Sequence, residues 1–160
     1  MFDNEAPMQN YFREFTPWVR WALRHEMSDD EGFSIAEYAG IYLLAHFDVN
    51  TTRPGPANHL DAAIVYVGEG YWLRRRWDQF ERSATRERDG HSGGHRYRST
   101  FGNATWNQLY VAALPIWFGD ARQPRSAEGW THAYRLYVER RILWELTSAR
   151  GGEHGLLNRK

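Results

Sequence analysis

Apolar residues recur along this chain with two periods, and Gly-, Pro- and Asn-rich breaks between them divide it into elements. Within residues 7–28, Phe12, Phe15, Val19, Ala22 and Leu23 fall at helical spacing. Thr16-Pro17 reads there as an N-cap followed by proline at the first helical position, so two short helices are predicted. The acidic run Ser28 to Gly32 (SDDEG) connects to Tyr38 to Phe47 (YAGIYLLAHF), too short and too aromatic or β-branched for a buried helix. It predicts a first strand. Residues 48–61 (DVNTTRPGPANHLD) cannot form a strand interior, and Ala62 to Gly68 (AAIVYVG) resumes as a second strand. The two make a hairpin with an enlarged loop.

From Tyr71 to about Arg88, Trp72, Leu73, Trp77, Phe80 and Ala84 share one face of a predicted helix. The Gly-, His- and Ser-rich residues 89–104 read as a loop with a short helix. Gln108 to Phe118 (QLYVAALPIWF) reads as a third strand that Pro115 ends early or places at an edge. Beyond the polar GDARQPRSAEG, residues 130–148 predict an amphipathic helix stopped by Gly151-Gly152. No internal repeat is visible. The sum is an α+β fold: a three-stranded antiparallel sheet flanked by helices over residues 38–160, with a helical N-terminal extension, residues 1–37, covering one face.

Length and composition refine this picture. A chain of 160 residues fits one domain, and 16% aromatic content implies a ring-rich core. The lack of cysteine excludes disulfides, thiolate nucleophiles and cysteine zinc sites, leaving carboxylates and histidines as metal ligands. The opening MFDNEAP has neither a basic nor an apolar leader region, and no apolar run approaches the ~20 residues of a membrane span. A cytoplasmic protein without membrane association is expected. The formal net charge of zero hides an asymmetry. Residues 1–70 carry 11 acids against 4 arginines, a net −7, and residues 71–160 carry 9 acids against 16 basic residues, a net +7. Every basic residue but Lys160 is arginine, whose planar fork matches phosphate oxygens. The same arginines could equally be solvated helix faces.

Two tripeptides stand on the predicted hairpin, Gly40-Ile41-Tyr42 and Tyr66-Val67-Gly68. Leu73 and Arg76 follow five and eight residues after Gly68, with Trp77 completing an RW pair, and then come Gly90-His91-Ser92, Glu139 in YVERRILWEL and Leu157-Asn158. In this order the motifs, spread over roughly residues 38–158, resemble the GIY-YIG nucleases. The resemblance implies a metal-dependent DNA endonuclease using Mg²⁺ or Mn²⁺. Tyr42 would orient or deprotonate the attacking water, and Tyr66 would hold the water or the scissile phosphate. Arg76 would neutralise transition-state charge, Glu139 would hold the metal, and Asn158 would brace the phosphate or the site. Two positions depart from the family pattern. Glu69 stands where some members have lysine, and Phe80 where many have histidine or tyrosine, which leaves His91 as the candidate replacement. The enlarged loop and the extension resemble restriction enzymes of the family more than its minimal repair module. The implied partner is DNA, duplex first, with a homodimer open. The alternative is a nucleic-acid-binding module that has kept the fold and lost cleavage.

Several positions carry an argument of their own. Glu139 is surrounded in helical projection by Leu136, Ile142, Leu143 and Leu146, so its carboxylate must be salt-bridged or metal-bound. Oxygen-only ligation suits Mg²⁺ or Mn²⁺, which take few protein ligands. Arg76 lies between Trp72, Leu73 and Phe80, so its stem packs while its guanidinium can leave the helix toward the strands. Arg74 and Arg75 point elsewhere, suited to steering a nucleic-acid backbone. A tyrosine in a strand, by contrast, is usually a packing residue, and His91 also fits an ordinary loop histidine.

Overall fold

The computed structural model describes residues 14–48, 53–86, 91–102, 106–116, 130–152 and 155–158. Residues 7–13 of the expected first helix, residues 117–118 of the expected third strand and the polar run at 119–129 lie outside them. The fold is α+β, built on a four-stranded antiparallel sheet. Its strands are β1 (Val19–Arg20), β2 (Gly40–His46), β3 (Ile64–Gly70) and β4 (Leu109–Pro115), in the order β1-β4-β2-β3. Helices α1 (Leu73–Arg86) and α2 (Ser92–Phe101) pack with each other, and α3 (Trp130–Arg150) contacts β3 and β2. Among the described residues no helix is long and apolar enough to cross a membrane.

Strand β2 is central, and Ile41 to Ala45 are wholly buried because both faces of the sheet are covered. One face carries Tyr42, Leu44 and Tyr66 into a core with Leu73, Trp77, Phe80 and Tyr97 from α1 and α2. The other carries Ile41, Leu43 and Val67 toward Ile142 and Leu146 of α3. The hairpin register places Tyr42 opposite Gly68 and Leu44 opposite Tyr66, and the register then shifts so that Ala45 meets Ile64. Such a bulge bends and twists β3 locally.

The helical extension is overturned for the part that is described. Residues 14–18 are not helical, Val19–Arg20 is the short fourth strand, and only Trp21–Glu26 and Ile35–Glu37 wind into 3-10 turns. Thr16 caps no helix, because its backbone N–H and its hydroxyl are taken up by β4. It pairs with the outer edge of β4: its N–H donates to the Ala113 carbonyl at 2.8 Å, and its hydroxyl accepts the Ala113 N–H at 3.0 Å. Phe15, Trp18 and Trp21 are buried while Leu23 is 45% exposed, which is not the face the helical spacing selects. β4 is therefore not an edge, although it does end at Pro115.

Further hydrogen bonds bind the first 38 residues to α1. Glu37 accepts from Trp72 Nε1 and Arg74 Nε, and the Tyr38 carbonyl accepts the Leu73 N–H. Arg24, itself buried, pairs with Glu81 at 3.0 Å and Asp78 at 3.4 Å. At the other end, α3 closes in paired bonds, Gly152 N–H to Thr147 O and Gly151 N–H to Ser148 O, with Gly151 at φ 70°. That is the glycine stop expected from the sequence, and the helix runs up to it, two residues beyond the predicted 148.

The Tyr42 ring lies across Gly68, where a Cβ would stand 2.4 Å from Tyr42 Cζ. Gly68→Ala must therefore displace the ring or the strand, at a cost of about 1–3 kcal/mol. Thermal unfolding should show it as a lower Tm, whereas Gly55→Ala, which meets no atom within 4 Å, tests backbone strain alone at its φ of 79°.

Candidate active site

Tyr42 and Tyr66 lie on adjacent strands of the α1/α2 face, with ring centroids 5.9 Å apart. Their neighbour is His91, which caps α2: its Nδ1 accepts the Gly94 N–H at 3.2 Å, and its own N–H donates to the Ser83 hydroxyl at 3.1 Å. A capped Nδ1 places the imidazole proton on Nε2, so Nε2–H donates to the Tyr42 hydroxyl oxygen across 2.8 Å. The Tyr42 proton must then go to another acceptor, and the Tyr66 hydroxyl interacts with it. Gly93 makes the arrangement possible, because a Cβ there would lie 2.6 Å from the Tyr66 ring.

The ionisation of these groups follows from their burial. Burial and the charges of Arg76 and Arg96 lower the His91 pKa to about 3, so the ring is neutral. Burial, and next the neighbouring Tyr66, holds the Tyr42 phenol well above its ordinary value; burial raises Tyr66 as well, while Arg76 pulls both back.

A cavity of about 600 Å³ opens at the outer edge of β3. Its wall is formed by Tyr66, by Ser92 and Arg96 of α2, by Glu139, Arg140, Leu143, Trp144 and Thr147 of α3, and by Leu156 and Asn158. The two faces of the sheet thus meet at one site around the edge of β3. Glu139 has no hydrogen bond or ion pair among the described residues. Burial, and then the charge of Glu69, raise its pKa to about 7, with Arg140 and Arg76 pulling the other way. The salt-bridge alternative for Glu139 is therefore not what the structure shows. Glu69 has taken that partner: it pairs at 3.2 Å with Arg135, one turn earlier on α3 and 1% exposed.

Of the residues expected in the site, Tyr66, Glu139 and Asn158 line the cavity. Tyr42 and His91 do not, standing directly behind Tyr66 and sealed from solvent. Tyr42, at 0% exposure, meets the cavity only through Tyr66. Arg76 is half-buried, donates to Gln79 at 3.3 Å, and acts electrostatically on Tyr42, Tyr66, His91 and Glu139 together. Asn158 spends its amide on the β3 edge, accepting the Val67 N–H at 2.9 Å and donating to the Val67 carbonyl at 2.7 Å. The amide is thereby committed to the β3 backbone. Arg74 is engaged by Glu37, and Arg75 donates to the Tyr71 hydroxyl at 2.6 Å, so neither lines the cavity.

The residues missed from the sequence are Arg96, Arg140 and Trp144, together with the Arg135 partner of Glu69. Arg140 follows Glu139 directly and was readable from it, whereas nothing in the short helix predicted within residues 89–104 marks which of its arginines faces the cavity. Glu139 also fits the implied Mg²⁺ or Mn²⁺: a cavity-facing carboxyl with no cation partner, its charge disfavoured by burial and by Glu69, is a group that a divalent cation would hold ionised. Among the described residues no three His, Asp or Glu side chains converge. No family model, no curated protein and no solved structure matches the chain.

The neutrality of His91 sets a pH dependence of stability. Its folded pKa of about 3 lies below the ~6.5 of an unfolded histidine, so above pH ~6.5 neither state is protonated and the contribution is complete. As pH falls from there toward 3, the unfolded chain binds a proton that the native ring refuses, and stability drops by up to ~1.4 kcal/mol per unit. His91→Asn can keep the cap but cannot titrate. Denaturant unfolding from pH 7 to 4 should show the variant less stable at pH 7 and losing less on acidification; parallel curves would contradict a neutral buried ring.

Proposed function

We propose that this chain is a GIY-YIG-type endonuclease that hydrolyses DNA phosphodiester bonds with a divalent cation. The observation that carries the reading is the assembly of Tyr66, Glu139, Arg96 and Arg140 on one cavity, with Tyr42, His91 and Arg76 immediately behind it. These residues come from β2, β3, α1, α2 and α3, so only the folded chain unites them.

A scissile phosphate in the cavity would lie against Arg96 and Arg140, whose charges favour its binding. Glu139 would hold Mg²⁺ or Mn²⁺, which when bound polarises a phosphate oxygen and makes water easier to deprotonate. Tyr66, with its hydroxyl at the wall, positions the attacking water. Tyr42 fixes that hydroxyl from behind, and His91 fixes Tyr42 through a tautomer locked by the α2 cap. Arg76 offsets the charge that develops on the phosphate. Tyr42 is in this scheme a positioning residue, since a phenol raised by burial is a poor base at neutral pH.

The second reading, a binding module without cleavage, draws on the same burial of Tyr42 and on Phe80, which is wholly buried where many family members have a titratable or hydroxyl-bearing side chain. The two readings separate in single-turnover cleavage of a labelled oligonucleotide. Glu139→Gln should bind DNA and not cut it. Tyr66→Phe should slow the chemical step by ~10²- to 10⁴-fold at unchanged affinity, and Tyr42→Phe should slow it less. Mg²⁺-dependent cutting by Glu139→Gln at the wild-type rate would remove Glu139 from the mechanism. Binding without cutting by the wild type would leave the binding module.

Both readings require phosphate contacts, so affinity should fall steeply with salt. Arg96→Ala or Arg140→Ala should each lower the log-log slope by ~0.9 on duplex DNA. An unchanged slope in both variants would place the phosphate elsewhere.

A further inference from the structure

Trp144 is 64% exposed in a protein that buries Trp18, Trp21 and Trp77. It stands on the cavity wall, one helical turn beyond Arg140 and five residues beyond Glu139, about 7 Å along the helix axis. That is about the offset between a phosphate and a base of the same or the next nucleotide. Two cations, Arg96 and Arg140, share the wall, and the Arg141 guanidinium, paired with Glu145 at 3.0 Å, lies 6.0 Å from the indole centroid. Tyr137, 54% exposed, precedes Trp144 by seven residues on the same helix face, with Arg141 between them. Alternating exposed aromatics and arginines beside a cavity large enough for a nucleotide is the pattern that binds unstacked nucleotides, the rings taking bases and the cations taking the backbone.

Given the hydrolytic reading, on which this inference rests for its substrate, we propose that Trp144 stacks on an unpaired nucleobase next to the scissile phosphate, so that the preferred substrate is single-stranded or locally opened DNA. In a continuous duplex each base face is already covered by its neighbours, and the indole can engage only a base that is unpaired or turned out of the stack. A leucine or a serine at position 144 would offer no such face.

The test is fluorescence anisotropy with labelled oligonucleotides in EDTA, so that binding is read without cutting. Three probes are compared: a single strand, the same strand lacking its bases, and the continuous duplex. Trp144→Ala should weaken single-strand binding roughly 5- to 100-fold, the range expected of one stacked base, and change duplex binding far less. Trp144→Phe should recover most of the loss, and the base-free strand should bind wild type and Trp144→Ala equally. Unfolding of the variants is followed in parallel, and the exposure of Trp144 predicts little change. Equal single-strand binding by wild type and Trp144→Ala would overturn the proposal. An equal loss on the base-free strand, or wild-type self-association abolished by Trp144→Ala, would do the same. A wild type that cuts with Mg²⁺ but shows no dependence on Trp144 sinks the stacking alone. Trp144-dependent binding without any cutting sinks the hydrolytic reading alone, and no binding to any probe sinks both.

Discussion

The hydrogen bond from His91 Nε2 to the Tyr42 hydroxyl, 2.8 Å long and closed to solvent, is the constraint around which the site is organised. It joins the central strand to the N-cap of α2, and the bond and the cap coexist only if the imidazole is neutral and its other nitrogen is already occupied. The Gly94 N–H meets the second condition, while burial together with Arg76 and Arg96 meets the first. The α2 cap, the orientation of two tyrosines and the approach of α2 to the sheet are thus one arrangement. Three glycines admit it: Gly68 under Tyr42, Gly93 under Tyr66, and Gly94 against the Phe80 carbonyl, where a Cβ would come within 2.5 Å.

Around this buried unit the charges fall into two groups. Acids of the first 81 residues meet arginines in structural pairs: Glu37 with Arg74, Asp78 and Glu81 with Arg24, Glu69 with Arg135. Pairing of this kind consumes part of the charge asymmetry seen along the sequence, which is why Arg74 does not serve the cavity. Glu139 is the exception. It is left beside Glu69 with no cation in contact among the described residues, and its raised pKa records the energetic cost of ionising it there. A carboxyl in that condition is tolerated where a ligand supplies the missing charge.

Much of this was readable before folding. The hairpin, α1 and α3 followed from periodicity, and Tyr66 and Glu139 from motif order and from the apolar neighbours of Glu139. What failed did so for local physical reasons. The Phe12-to-Leu23 spacing imitates a helix, and Thr16-Pro17 would suit its start, but the open edge of β4 offers the Thr16 backbone and hydroxyl a partner instead. The short helix read within residues 89–104 is α2, which forms although Gly93-Gly94 disfavours it by propensity, because both glycines are needed for its close packing. The Glu69–Arg135 pair spans 66 positions, a distance over which no spacing rule operates.

The central claim is that one cavity at the β3 edge performs metal-dependent hydrolysis of a phosphodiester. Its most direct test is incubation of the purified wild-type chain with supercoiled plasmid, with Mg²⁺ or Mn²⁺ added and then removed by chelation. The account predicts conversion to nicked or linear DNA that requires the cation, stops with EDTA and resumes on its return. Plasmid left supercoiled in the presence of either cation, together with a single-stranded circle left uncut under the same conditions, by a chain that is folded and binds DNA, would contradict it.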